Sequence, residues 1–317
     1  MNFLKYLCKK ISIAILSIIL ITSLLYVVIF AFINNEFLKS KSLMNQYSEF
    51  IGSIFSNFGK VYGSSSFQNA QSYFFNYYKW SLLFEGIAFV ISIILGYFIG
   101  IFLAYKQGKW SDILISSLIF IFAAIPTFIF APLMLILAEA IDLPVNFVDP
   151  SSATVGYLLL SLILPAALLS ISSISFVSIV VKKATYNILK QEYITVLRAT
   201  GQNSQNIFFK GVFKNLIGDT INQIIPMILL LISFGLIIER IFQIPGQSLI
   251  LLSSFKDGEI NVLMCLIFYK LLLLIGLTII FEFVSDLINL KISFNFLQKH
   301  HQNRIIIKKL EKEGSDD

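Results

Sequence analysis

The chain has 317 residues, 57% of them hydrophobic and only 13% charged, with a formal net charge of +6 and a mean hydropathy of +0.82. Soluble domains carry about a quarter charged residues, so the balance excludes a water-soluble globular protein and indicates a polytopic membrane protein. Its two cysteines, Cys8 and Cys265, stand at opposite ends of the chain without metal or redox spacing, and no disulfide is expected between them.

About twenty apolar residues cross a bilayer as a helix, and six runs meet that length closely enough to be read as spans. The first, Ile11–Ile33, follows Lys5, Lys9 and Lys10. Its apolar core is too long for a cleaved leader and no small-residue cleavage pattern follows, so it reads as a retained anchor helix. Residues 34–79 exceed a tight loop and predict a small folded cap. The second span is Leu82–Tyr105 and the third Ile113–Leu137, which contains Pro126. The fourth, Gly156–Val181, contains Pro165; the fifth and shortest, Ile221–Ile238, opens with Asn222, Gln223 and Pro226. These prolines read as kinks or helix starts. The sixth, Val262–Val284, contains Lys270, while Glu85 and Glu282 fall at span ends and read as interfacial. A charged tail, 291–317, closes the chain; its His300 and His301 read as a solvated pair rather than a metal site.

Orientation follows from Lys and Arg, which favour the cytoplasmic side. With the N-terminus inside, seventeen of the 24 fall inside and six outside, Lys270 lying within a span. Both termini are therefore expected in the cytoplasm, and the net positive charge is assigned to the membrane surface rather than to nucleic acid. The predicted organisation is an N-terminal segment and anchor helix (1–33), a cap (34–79), a transmembrane core (80–290) with a cytoplasmic loop (182–219), and the tail (291–317).

That loop holds "EYITVLRATG" followed by "QNSQNIFFKGVFKN". Tyr193, Val196, Leu197 and Thr200 fall at i, i+3, i+4 and i+7, one face of a helix, and Gly201 permits the left-handed turn that ends it. Ile207, Phe208, Gly211 and Val212 repeat the pattern on a second short helix. An amphipathic loop on the membrane surface and a docking knob for a cytosolic partner both satisfy this pattern.

The order of these residues resembles the loop of membrane subunits of ABC importers in the oligopeptide/dipeptide/nickel permease family. The likeness continues in "SLLFEGIAFVISIILGYFIGIFLAYKQGKWSD", with Gly96 and Gly100 at small-residue positions, and in "IPTFIFAPLMLILAE" and "LPAALLS". It also covers "ERIFQIPGQ", an acidic-x-x-Phe-x-x-Pro-Gly element, and "FVSDLINL". The resemblance implies an all-α membrane protein with six transmembrane helices: the anchor helix plus a five-helix importer core, a cytoplasmic coupling helix and an extracellular cap. It assigns ATPase coupling to Glu192, Tyr193, Val196, Leu197, Arg198, Ala199 and Gly201, and structural roles to Pro126, Pro165, Pro245 and Gly246.

The implied partners are a second homologous permease subunit, two cytosolic ATP-binding subunits, an extracellular substrate-binding protein and membrane lipid. No G-x-x-x-x-G-K-[ST] phosphate loop occurs, so the chain is expected to bind no cofactor, with ATP and Mg on the partner ATPases, and to be no enzyme itself. The implied function is half of an oligopeptide pathway, with dipeptide, nickel-chelate or other small-solute import as the alternative. A stand-alone secondary transporter would need mid-membrane coupling carboxylates, which the spans almost lack. Lys270 is the one ionisable residue well within a span, a candidate for the pathway or for snorkelling to the interface. The sequence departs from the family pattern at Thr195–Leu197, at Gly218–Asp219 in place of a proline, after Pro245–Gly246 where a second glycine is missing, and after the last span. These departures bear on substrate class most; the amphipathic helix and Gly201 are retained.

Overall fold

In the computed structural model, residues 3–33, 42–62, 67–149 and 154–288 are described. The tail 291–317, with its expected basic surface and histidine pair, lies outside them, as do parts of the expected cap. Among the described residues every regular element is helical.

In chain order these are α1 (Phe3–Phe32), α2 (Leu43–Ile54), α3 (Ala70–Tyr105), α4 (Trp110–Ala124), a 3-10 turn (Thr127–Phe130) and α5 (Ala131–Ala140). Then follow α6 (Val155–Leu189), α7 (Glu192–Ala199), α8 (Ser204–Ile207), a wide π-type turn (Phe208–Val212), α9 (Phe213–Thr220) and a second 3-10 turn (Ile221–Gln223). Last come α10 (Ile224–Ile241), α11 (Gln247–Asp257) and α12 (Ile260–Ile288). Among the described residues, five stretches are long and apolar enough to cross a membrane: Tyr6–Phe32, α3, α6, the run Ser204–Ile241 and α12.

The third span differs from its sequence reading. Ile113–Leu137 is not one rod but a broken pair, α4 and the segment Thr127–Ala140, bent by 95°. Pro126 explains the break. It offers no N–H, and its ring pushes the preceding Ile125 into an extended conformation, φ −94 and ψ 123. The second span also differs, because α3 starts at Ala70, capped by the Asn69 side chain, which accepts from Ser72 N at 2.8 Å. The last ten residues of the expected cap are therefore helix. Polar and aromatic, they escape a hydropathy window, yet Ala70, Phe74, Tyr78 and Ser81 line one buried stripe.

Helix α6 forms the centre, packed along α3. A Cβ placed on Gly96 would meet Val177 Cβ at 2.6 Å, and one on Gly100 would meet Val181 Cβ at 2.7 Å and Ser178 O at 2.8 Å. The glycines let the two backbones approach within one chain, the close contact that small residues permit between membrane helices. Pro165 sits buried inside α6 without ending it. Ser170 bridges the seam, its hydroxyl near Ala166 O (2.6 Å) and Ala88 O (3.3 Å).

Side-chain contacts sort the bundle into two ends. At the α7 end, Lys182 at the close of α6 binds Asp112 at the start of α4 (2.5 Å). There too Asn222, ahead of α10, binds Ser285 on α12 (3.2 Å), and Lys10 on α1 pairs with Glu282 on α12 (2.7 Å) while Tyr6 binds Asp286. Glu282 is thus an end residue, as its position implied. At the opposite end, Phe147 N donates to Phe242 O (3.0 Å), Tyr62 N to Glu259 (2.6 Å), and Tyr47 meets Ser23 (2.5 Å). The start of α1 and the close of α12 therefore share one end, as an even number of crossings requires, and the bent pair runs from one end to the other.

Of the expected cap, the described residues hold α2 and a turn that packs against α12. Asn57, Phe58 and Gly59 are consecutively left-handed (φ 57, 61 and 77), a costly run for residues with a Cβ. It buries Phe58, 2% exposed, against Phe268 and Tyr269, with ring centroids at 5.3 and 5.6 Å. Phe74 of α3 stacks on the same Tyr269 at 5.0 Å.

Candidate functional site

Two assemblies gather the residues that the sequence singles out. The first is the element at the α7 end. Glu192 in the first turn of α7 and Arg198 in the last complement the helix dipole. The helix stops at Thr200, whose hydroxyl bonds Leu197 O (2.8 Å), and Gly201 takes φ +73. Open space surrounds a Cβ at Gly201, so only the backbone conformation demands glycine there. Gly201→Ala should cost about 1 kcal/mol and Gly201→Val more, about 2, because L-residues are disfavoured in the left-handed region. A thermal melt of each variant that showed Val equal to Gly would contradict this.

What holds α7 is Ile194, which is fully buried and joins the main core with Ile207, Val212 and Leu216. The wide turn Phe208–Val212 presents Gly211 to it. A Cβ on Gly211 would meet Ile194 Cδ1 at 2.8 Å and Leu197 Cδ1 at 3.0 Å. Tyr193 donates its hydroxyl hydrogen to Gly211 O (3.0 Å) and accepts from Asn215 Nδ2 (2.8 Å). The face expected to be free, Tyr193–Val196–Leu197–Thr200, is thus divided. Leu197 turns onto Gly211, and Tyr193 bonds Gly211 O while staying 40% exposed; Val196, 62% exposed, and Glu192, Arg198, Ala199 and Thr200 remain outward. Beside them on the turn and α9, Phe209 and Phe213 are also exposed.

The second assembly lies at the opposite end, where α10 turns into α11 through Phe242–Gly246. Ile244 N bonds Glu239 O (2.8 Å), and Pro245–Gly246 leads directly into α11. A Cβ on Gly246 would lie 2.3 Å from Ser81 Oγ and 2.8 Å from Glu239 Cδ, so no other residue fits without displacing both. The first amides of α11 then find partners on other helices. Gln247 N donates to Ser81 Oγ (2.7 Å) and Ser248 N to Glu239 Oε2 (2.8 Å). Gln247 Nε2 donates to Glu85 Oε1 (2.6 Å), and that carboxylate lies against Gly235, where a Cβ would stand 2.7 Å away.

Glu85, expected at a span end, is therefore enclosed by its neighbours. With α3 beginning at Ala70 it falls well inside the helix and is buried. Lys270 lies half-buried on α12. An apolar cleft of about 230 Å³ opens beside Glu85 between α3, α10 and α12.

A family model described as "Binding-protein-dependent transport system inner membrane component" matches residues 96–294. The chain belongs to this family. The match takes in α7, Glu239 and Lys270 and begins after Ser81 and Glu85. A Brucella suis protein named a peptide transport system permease is 23% identical over 215 residues, 66% of this chain and 67% of the relative. The oligopeptide transport system permease protein of Haemophilus influenzae is 26% identical over 202 residues, 64% of this chain and 63% of its own. The dipeptide transport system permease protein of Bacillus subtilis is 26% identical over 194 residues, 61% of each. The permease is thus a multi-pass membrane subunit of an ABC importer, a transport component and not an enzyme.

Sequence reasoning missed Ile194, Ser81 and Gln247, and it placed Glu85 at a span end. A signal for Glu85 was present: carboxylates are few enough in these spans that a hydrogen-bonding partner should be sought for each.

Proposed function

We propose that the permease forms half of the translocation pathway for oligopeptides, paired with a second homologous permease subunit and served by two cytosolic ATP-binding subunits and an extracellular binding protein. The α7 end faces the cytoplasm, in keeping with the excess of Lys and Arg there, and both termini lie on that side. ATP and Mg belong to the partner ATPases. Their closure moves α7 as a rigid body, and the packed helices pass that motion to the pathway.

The observation that carries this reading is the split of α7. Its inner side is locked to the bundle through Ile194, and its outer side, Glu192, Val196, Arg198 and Ala199, is presented with exposed Phe209 close by. A lever needs both.

The test is the complex reconstituted in lipid with its ATPases and binding protein. Peptides added outside should stimulate ATP hydrolysis, and Val196→Asp should weaken ATPase co-purification about tenfold or more, since an unpaired charge in a docking face costs several kcal/mol. Full co-purification of Val196→Asp would return α7 to a surface loop. The Bacillus relative's name favours a second reading, dipeptide import, and a length series from two to eight residues separates the two. Uptake without any ATPase subunit would reveal a solitary carrier instead.

A further inference from the structure

We propose that Lys182 and Asp112 are positioning residues: their ion pair ties α4 to α6, so that a displacement of α7 reaches the bent pair. The inference rests on the reading of α7 as a lever and names the joint through which its motion leaves α6. Lys182 stands about two turns before the end of α6, which runs through Lys190 and Gln191 into α7. Its ammonium donates to Asp112 Oδ1 (2.5 Å) and to Ser116 Oγ (2.9 Å), and the Ser116 hydroxyl donates to the same carboxylate (3.0 Å). Gly108 N, in the turn between α3 and α4, donates to Asp112 Oδ2 (3.0 Å). Asp112 is 5% exposed, and both its oxygens find partners inside this knot.

Little else fastens α4. Of its 15 residues only Asp112 and Ile119 are buried, while Ile113, Leu114, Leu118, Phe120 and Ile121 are exposed. Beside the knot a cleft of about 180 Å³ lies between α3, α4 and α6, with Leu103, Phe120, Ile179 and Lys182 in its lining. The three helices are therefore not close-packed there. Apolar side chains gain little by exchanging lipid tails for a neighbouring helix, and a gap removes their dispersion contacts. A hydrogen-bonded ion pair is directional and has no equal in the lipid tails, so it sets where α4 stands on α6. Helix α4 leads to the 95° bend at Pro126, and the bent pair reaches the opposite end of the bundle. A joint at Asp112 thus carries motion from the α7 end toward the other mouth.

Separating the charge from the joint tests it. The complex with its ATPases is reconstituted in lipid from wild type, Lys182→Met, Lys182→Met with Asp112→Asn, or Lys182→Arg. Amide exchange is measured by mass spectrometry before and after ATP with vanadate, which arrests the ATPases closed. Lys182→Met should cut folded yield about tenfold or more, because it leaves a carboxylate buried without its cation. The double variant should recover that yield, since Asp112→Asn removes the charge and keeps an acceptor for Gly108 N. In wild type and Lys182→Arg, ATP should change exchange in α7, α6 and α4 together. In the double variant it should change α7 and α6 and leave residues 110–124 at their nucleotide-free rate. A pair that served folding alone would be restored in every readout, so a double variant whose α4 still follows ATP would overturn the tie. Wild-type yield in Lys182→Met would overturn it too. If α7 of the wild type ignores ATP, the lever reading falls; if α7 responds and the double variant's α4 follows it, the tie alone falls.

Discussion

Gly100→Ala should destabilise the permease while Gly86→Ala, on the same helix, should stabilise it. In an open helix position glycine is worse than alanine by about 0.5–1 kcal/mol, the entropy of a freer unfolded backbone. Gly86 is such a position, since nothing lies within 4 Å of a Cβ there. At Gly100 the same methyl would meet Val181 Cβ at 2.7 Å and the Ser178 carbonyl oxygen at 2.8 Å. One of these is backbone and cannot rotate away, so α3 and α6 must separate. Over-packing of this kind costs about 1–3 kcal/mol for small insertions, which outweighs the propensity gain and reverses its sign. Gly100→Leu should go further and yield no folded bundle, because α3 against α6 is the central seam. The measurement is the melting midpoint of each purified variant in one detergent. A Gly100→Ala midpoint at or above wild type would mean that the seam is looser than these contacts make it.

That seam was legible because it rests on spacing. Gly96 and Gly100 lie one helical turn apart, and no property of a distant residue is needed to see that they form a small-residue stripe; that it seals α3 against α6 takes the contacts themselves. The spans were legible for a similar reason, since hydropathy is additive along a helix. The start of α3 was not. Residues Ala70–Ser81 carry Asn, Lys and five Phe or Tyr residues, too polar for a span by composition. They are helical because one stripe of them packs on α12 around Tyr269. Glu85 was misplaced by the same error, for a span drawn from Leu82 puts it at an interface, whereas a helix drawn from Ala70 puts it inside. The break at Pro126 was visible as a proline, yet its angle of 95° depends on where α5 finds its packing.

The hardest residues to read were those of α7, and Ile194→Ala should show why they matter. In eight residues two stripes overlap: Tyr193, Val196, Leu197 and Thr200 form one, Ile194 and Leu197 the other. Periodicity cannot say which is turned inward. Gly211 decides, because the absence of its side chain makes room for Ile194 Cδ1 where a Cβ would stand 2.8 Å away. Truncating a fully buried isoleucine costs about 2–5 kcal/mol through lost burial and the cavity left behind. A helix of this length has almost no stability of its own, so the loss falls on the docking of α7. The Ile194→Ala variant should insert and keep a melting midpoint near wild type for the α3–α6 bundle, while amide exchange across Glu192–Ala199 accelerates. If α7 is the lever, ATP hydrolysis should become insensitive to peptide although the ATPases still bind through the outward face, whereas Val196→Asp loses the binding itself. Coupled, peptide-stimulated hydrolysis in Ile194→Ala, with α7 exchange raised, would mean that the force enters the bundle by another contact.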